Sequence, residues 1–224
     1  MRIDEMIFKE ANKSFFLKCW IPEDTTVVLG RSNDPEKECH LEACEKEGIE
    51  VLKRAGGGGT VVLHGGCVVV SFGAWMEHHF KNDVYFSLIN QSIASTLEAV
   101  LGSLKIVERG ISDLAIGDKK IAGTSLFRSK GYLLYQASIL VDSRIHIIEK
   151  LLKHPTKEPD YRGGKSHRNF VAGLGEFVSG LTAQEVEKIL SKNLERHLKE
   201  TLEGELTDVD GKHLPWILNR AQII

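Results

Sequence analysis

Four consecutive glycines, Gly56 to Gly59, stand between the basic pair Lys53-Arg54 and the run Thr60-Val61-Val62-Leu63, and two more, Gly65 and Gly66, precede Cys67-Val68-Val69-Val70. No helix survives such a run, since each glycine costs about 1 kcal/mol relative to alanine in a helix interior. The valines around it are β-branched and suit a pleated surface. Residues 49 to 72 are therefore expected to form a strand at "IEVLKR", a bare glycine loop, and two more strands, "TVVL" and "CVVVSF", joined by His64-Gly65-Gly66. Consecutive glycines can take positive φ and turn several N–H groups toward one anion, a phosphate or a carboxylate. The spacing fits neither the Walker loop nor the Rossmann fingerprint, because these glycines precede a strand instead of opening a helix. A glycine-rich turn or bulge with no ligand accounts equally well for the run by itself.

The rest of the chain supplies helices to cover those strands. After a short helical or irregular start come strands at Phe15–Trp20 and Thr26–Leu29, ending on Gly30. One helix is then expected from Asn33 or Asp34 as cap, with Pro35 at its first position, to a stop at Gly48. Val84, Leu88, Ile93, Leu97 and Val100 recur at helical spacing through "DVYFSLINQSIASTLEAVLG". A meander of hairpins follows through "LKIVERG", "DLAIG", "KKIAGTSLFR" and "YLLYQASILVD". Thr182 and Glu185 make a capping box for a last amphipathic helix lined by Val186, Leu190, Leu194 and Leu198. Residues 154–174 read as a long polar loop. This order predicts an α+β class with a mixed sheet packed against helices, residues 1–224 forming a single catalytic-type domain.

In the meander, strand alternation sends Lys120, Ala122 and Thr124 to one face and Ile121, Gly123 and Ser125 to the other. One face thus offers an amine and a hydroxyl to a ligand while Ile121 packs inside. Solvated turn lysines are the plainer account of Lys119 and Lys120 taken alone. Arg54, with its planar fork, and His64, at the far end of the strand after the glycines, are further candidates to meet an anion.

Net charge narrows the partners. The chain has 29 basic and 31 acidic residues with no basic block, so nucleic acid is not an expected partner. No apolar run reaches the roughly 18–20 residues of a membrane span, and the charged N-terminus is unlike a signal peptide, so a cytoplasmic protein is expected. The four cysteines are expected to stay thiols there, and Cys39, His40 and Cys44 lack the second ligand pair of a zinc site, so no metal site is assigned.

Residues 26–62, "TTVVLGRSNDPEKECHLEACEKEGIEVLKRAGGGGTVV", then 110–125, "GISDLAIGDKKIAGTS", and 164–174, "GKSHRNFVAGL", together resemble the lipoate–protein ligase family of the biotin/lipoate ligase superfamily. The resemblance implies that family's catalytic-domain fold and a two-step reaction. Lipoate and ATP would give lipoyl-AMP and pyrophosphate with Mg2+ present, and the acyl group would pass to a lysine of a lipoyl-domain protein, of the 2-oxoacid dehydrogenase E2 or glycine-cleavage H protein type. Lys120 matches the family's catalytic lysine. Arg54, Gly57, Gly58, Gly59, His64, Asp113, Gly123, Thr124 and Arg168 match positions expected to hold substrate or adenylate, with Arg168 in a loop that orders over the nucleotide.

The departures are specific. Gly56 stands where the family usually has Ser or Thr, "LHGGC" replaces His-Asp-x-Gly-Asn, and "QAS" at 136–138 replaces His-Gly-Thr or His-Gly-Ser. The cysteines of the sister octanoyltransferases are absent from both of their usual places, leaving Cys67 as the thiol nearest the glycine loop and a small buried hydrophobe as its expected role. Octanoyl or lipoyl transfer from a thioester donor and a non-catalytic lipoyl- or nucleotide-binding module are the alternative readings. Many relatives continue into an accessory domain, so a separate small subunit is a further expected partner.

Overall fold

The structure, a computed structural model, describes residues 4–78, 81–102 and 104–223, the side chains of 220–223 excepted. Its strands are β1 (Phe15–Trp20), β2 (Thr26–Leu29), β3 (Glu50–Lys53), β4 (Val61–Leu63), β5 (Cys67–Trp75), β6 (Ile106–Arg109), β7 (Asp113–Ile116), β8 (Lys119–Ser129) and β9 (Tyr132–Leu140). The helices are α1 (Glu5–Lys9), α2 (Pro35–Glu38), α3 (Leu41–Lys46), α4 (Asn82–Leu101), α5 (Ile145–Leu151), α6 (His167–Phe170), α7 (Ala183–Thr201) and α8 (Leu214–Ile223). An antiparallel sheet runs β1-β5-β9-β8-β7-β6, and a smaller mixed sheet runs β3-β2-β4, with β2 parallel to β3 and antiparallel to β4. This is the expected α+β class.

Strand alternation in β5 and β9 sorts the core into two sides. Val68, Val70 and Phe72 of β5, with Leu133, Tyr135 and Ala137 of β9, meet Ile89 and Ile93 of α4 and Leu190 and Leu194 of α7. Each such aliphatic chain contributes about 1.5–3 kcal/mol by leaving water. The start of α7 is fixed as expected, Thr182 and Glu185 capping each other's backbone. On the opposite face Trp75, Phe127, Tyr132 and Leu134 take α1 through Ile7 and Phe8, and α8 through Ile217. Farther along, Val69 packs on Val28 and Leu63 of the small sheet, whose outer side is covered by α3 and α5. Between those two apolar patches the register lines up a row of polar residues, Ser71, Gln136 and Ser125, beside the pair Ser138 and Gly123. The glycine loop lies over that strip.

The single helix expected after Asn33 is broken in two. Asp34 caps it and Pro35 starts it as predicted, but Cys39 is extended at φ −122°, ψ 151°, and forms an antiparallel bridge with Leu152. The His40 N–H donates to Leu151 C=O and the Lys153 N–H to Glu38 C=O, so strand-like bonds to the segment after α5 replace the helical ones. Local propensity yields here to a tertiary partner. The 154–174 stretch is also held more tightly than a plain loop: it contains a 3-10 turn at Asp160–Arg162 and α6, and Val171 and Ala172 pair with the backbone of Lys120. Among the described residues no helix is long and apolar enough to cross a membrane.

Candidate active site

The glycines of the loop are there for different reasons. A Cβ on Gly56 would stand 2.1 Å from Ser125 Oγ, so here the loop presses on β8 with no room for a side chain. Gly58 has φ +96°, which L-residues avoid. Gly30, at the end of β2, faces the same loop, and a Cβ there would lie 2.1 Å from Gly58 O. Gly57 and Gly59 differ from these: nothing lies within 4 Å of a Cβ on either, and neither has positive φ. Both are exposed, and no described residue accepts from the N–H groups of Gly57, Gly58 or Gly59. Three amides are therefore open on the surface of a loop whose underside is fixed.

Arg54 fixes that underside. Its side chain is turned beneath its own loop: Nε and Nη2 donate to Gly57 O, the latter at 2.8 Å, Nη2 also donates to Gly59 O at 2.7 Å, and Nη1 to Val28 O at 3.3 Å. Burial lowers its pKa to about 10, partly offset by the Asp4 carboxylate, so it stays charged at neutral pH. The fork expected to reach for an anion instead holds the loop carbonyls down, which leaves the amides facing out. Asn33 Nδ2 adds a bond to Gly58 O and another to Thr60 Oγ1.

Lys120 reaches the side of β8 on which this loop lies because of a bulge. Ala115 pairs with Lys120 but Leu114 pairs with Ala122, leaving Ile121 as an extra residue in β8. An extra residue shifts the alternation by one. Ile121 and Ala122 both enter the main core, and Lys120 comes round to the side of Gly123, where a Cβ would be 3.3 Å from its Nζ. Thr124 looks the other way, donating to Ser112 O at 2.8 Å. The expected pairing of Lys120 with Thr124 on one face is thus corrected: Lys120 shares its face with Gly123 and Ser125. The amine makes a 2.7 Å ion pair with Asp113 Oδ1, and Asp113 Oδ2 accepts from Tyr161 OH at 2.9 Å. Lys120 retains 24% side-chain exposure, so a ligand can reach it.

The other candidates lie apart from this cluster. His64 is fully buried, Nδ1 accepting from Gly66 N–H at 3.0 Å, and burial lowers its pKa to about 4. It braces the turn into β5 as a neutral ring. Arg168 extends outward to Glu149 of α5, at 2.8 Å. All four cysteines are free and buried, and burial raises the Cys67 thiol to about 12. Among the described residues no cluster of three His, Cys, Asp or Glu could hold a metal ion. Two surface clefts of about 580 and 510 Å3 are lined by parts of α2, α3 and α5 with Lys153, and by residues 142–147, and neither includes Lys120, Asp113 or the glycine loop.

A sequence profile for the lipoyl protein ligase A/B catalytic domain matches residues 1–195. The chain belongs to the lipoyl protein ligase A/B catalytic-domain family. Solved structures agree on the fold. A bipartite lipoate protein ligase from Thermoplasma acidophilum, studied with its E2 lipoyl domain, superposes with TM-score 0.72 at 24% identity, over 96% of this chain and 85% of that one. A putative lipoate protein ligase from T. acidophilum with bound lipoic acid gives TM-score 0.72 at 21% identity, over 98% and 90% of the two chains. A lipoate-protein ligase A bound with ATP gives TM-score 0.72 at 22% identity, over 96% and 87%.

Within this family member, the sequence reading passed over Tyr161, Asn33 and Gly30 as contributors to the site. Tyr161 is brought to Asp113 by a fold contact 48 residues long in sequence, for which no local pattern exists. Polar Ser125 and Gln136 inside otherwise apolar strands were a usable signal, since a buried strand face seldom spends polar residues without a purpose.

Proposed function

We propose that this chain is an ATP-dependent lipoate–protein ligase acting as one catalytic unit. A lipoate carboxylate oxygen attacks the α-phosphorus of ATP, the bond to the β-phosphate oxygen breaks, and pyrophosphate leaves. The amine of an acceptor lysine then attacks the acyl carbonyl, AMP departs with the bonding electrons, and a proton is lost from nitrogen. The observation that supports this reading is the Lys120 amine, held by Asp113 beside Gly123, with the loop's Gly56 and Gly58 against Ser125 and Thr124 of the same strand and no described residue taking the amides of Gly57 to Gly59. Two anions must be brought together in the first step, and preorganised positive charge is what lowers that barrier. Lys120 supplies the charge, and the amides of Gly57 to Gly59 hold the carboxylate or phosphate oxygens. Gly123 leaves the space for the reacting atoms beside Nζ, a space any side chain would enter.

Mg2+ would arrive with ATP and be held mainly by phosphate oxygens and water. The acceptor we infer is a lipoyl domain, in keeping with the E2 lipoyl domain studied with the bipartite relative, and a separate small subunit is a candidate partner for the second step. A thioester route needs a thiolate, and burial raises all of Cys19, Cys39, Cys44 and Cys67 above the ordinary thiol value.

The test is lipoate-dependent pyrophosphate release from ATP, followed by the mass of an added apo lipoyl domain. Wild type should release pyrophosphate, and Lys120→Ala should lower that rate at least about a hundredfold, the scale of one lost electrostatic contact to the transition state, with an unchanged melting temperature. Retained release by Lys120→Ala would overturn the assignment. Pyrophosphate without a mass gain would point to a missing subunit or to a different acceptor protein.

A further inference from the structure

Behind the Lys120–Asp113 pair, on the helix side of the sheet, a polar network converges on one backbone oxygen. Asn90 of α4 donates through Nδ2 to Ser112 O at 3.1 Å, and Thr124 of β8 donates through Oγ1 to the same oxygen at 2.8 Å. Both lone pairs of that carbonyl are thereby engaged. Asn90 is 1% exposed, and Ser112 and Thr124 are each 8% exposed. The Asn90 amide is itself oriented: Nδ2 also donates to Glu108 Oε2, and Oδ1 accepts from the wholly buried Tyr135 hydroxyl. Rotating the amide by half a turn would set its oxygen against a carboxylate and a carbonyl, so a single orientation satisfies every partner. Ser112 is the residue before Asp113, and it closes a turn pinned on its other side, where Gly110, at φ +62°, packs against Pro159 and Tyr161.

We propose that Asn90 and Thr124 are positioning residues for the Lys120–Asp113 pair, acting through the Ser112 carbonyl without touching substrate. The inference rests on the role proposed above for Lys120. The bulge at Ile121 explains why such a device is needed. An irregular β8 loses part of its ladder to β7 at the place where Asp113 and Lys120 must meet. Two side-chain bonds to Ser112 O, one from β8 itself and one from the helix layer, restore the fixed distance that the interrupted ladder no longer sets.

The test reads the geometry of Lys120 directly, without any assumed reaction. Trace labelling of the full-length protein with acetic anhydride, analysed by mass spectrometry, gives the rate at Lys120 relative to the exposed Lys153. Thr124→Val, which keeps the shape and removes the donor, should raise relative Lys120 labelling about three- to fivefold, the factor expected from one released hydrogen bond. Thr124→Ser should leave it within about a factor of two, since the donor is kept. Asp113→Asn should raise it at least as far, and Thr124→Val added to Asp113→Asn should give no further increase, because both act on one contact. Asn90→Ala, if folded, should match Thr124→Val. Unchanged labelling in Thr124→Val, an additive double variant, or a Thr124→Ser as reactive as Thr124→Val would each overturn the proposal. Loss of pyrophosphate release with no labelling change would place Thr124 on substrate, whereas the labelling pattern in a protein that releases no pyrophosphate would uphold the positioning and sink the ligase reading.

Discussion

Gly30→Ala separates a loop held by sterics from one that merely happens to be glycine-rich. Gly30 is outside the left-handed region, so a methyl group meets no backbone penalty of its own. It meets Gly58 instead, 2.1 Å from the carbonyl oxygen and 3.1 Å from its carbon. Non-bonded carbon and oxygen settle at about 3.3 Å, so the Gly58 carbonyl must retreat by roughly 1 Å. That movement pulls on the bond from Asn33 Nδ2, at 3.2 Å, and on the Arg54 contacts to Gly57 O and Gly59 O, at 2.8 and 2.7 Å. Overpacking of this kind costs about 1–3 kcal/mol, which lowers the melting temperature by roughly 2–10 °C for a chain of this length. The rate should suffer more than the stability, because a 1 Å displacement of groups that position a reactant can cost about a hundredfold. The assay is lipoate-dependent pyrophosphate release at saturating ATP, beside scanning calorimetry. A Gly30→Ala enzyme of near wild-type rate would refute the idea that the loop must lie where Arg54 holds it.

Gly57→Ala and Gly59→Ala make the complementary experiment. With open space around both positions and no positive φ, each should leave the melting temperature unchanged or raise stability by up to about 1 kcal/mol, yet each should cut pyrophosphate release at least about tenfold if the ligand lies against the bare amides. Unaltered activity in both would move the ligand elsewhere. His64 predicts a pH effect on stability. Its folded pKa of about 4 lies below the ordinary 6.5, so the unfolded chain binds more protons between those values. The stabilisation is complete above about pH 6.5 and falls away toward pH 4, by roughly 3 kcal/mol in all. His64→Asn should flatten that part of the urea-unfolding profile, and parallel curves for the two proteins between pH 7 and pH 4 would refute it.

What the sequence made legible follows from how local each signal is. β1, β2 and the α7 capping box could be placed because alternation, a terminal glycine and Thr182 with Glu185 act within a few residues. The helix after Asn33 was misjudged because its break at Cys39 is imposed by Leu152, more than a hundred residues away. The two faces of β8 were misassigned for a similar reason. The bulge lies in the pairing with β7, and nothing in "KKIAGTS" announces that Ile121 is the extra residue. Lys120 was a candidate from strand alternation and Asp113 and Gly123 came with the resemblance, and the structure brings those three together, but it sets Arg168 on Glu149 and buries His64 in a turn. A motif fixes residue identity, and only the fold decides where each side chain points.

Arg54 shows why identity and position have to be argued separately. A lysine has one nitrogen and could not reach the carbonyls of Val28, Gly57 and Gly59 together, whereas the planar guanidinium spans all three. Its donors are turned to the backbone, yet its charge is not cancelled, since the pKa of about 10 keeps it protonated at neutral pH. A positive charge beneath the loop and three outward amides above it act in the same direction on an anion at the surface. The buried Asp4 carboxylate, which accepts from Ala55 N–H, balances part of that charge from the protein side. The arginine therefore shapes the loop through its hydrogen bonds and biases it toward anions through its field, and neither contribution requires that it touch the ligand.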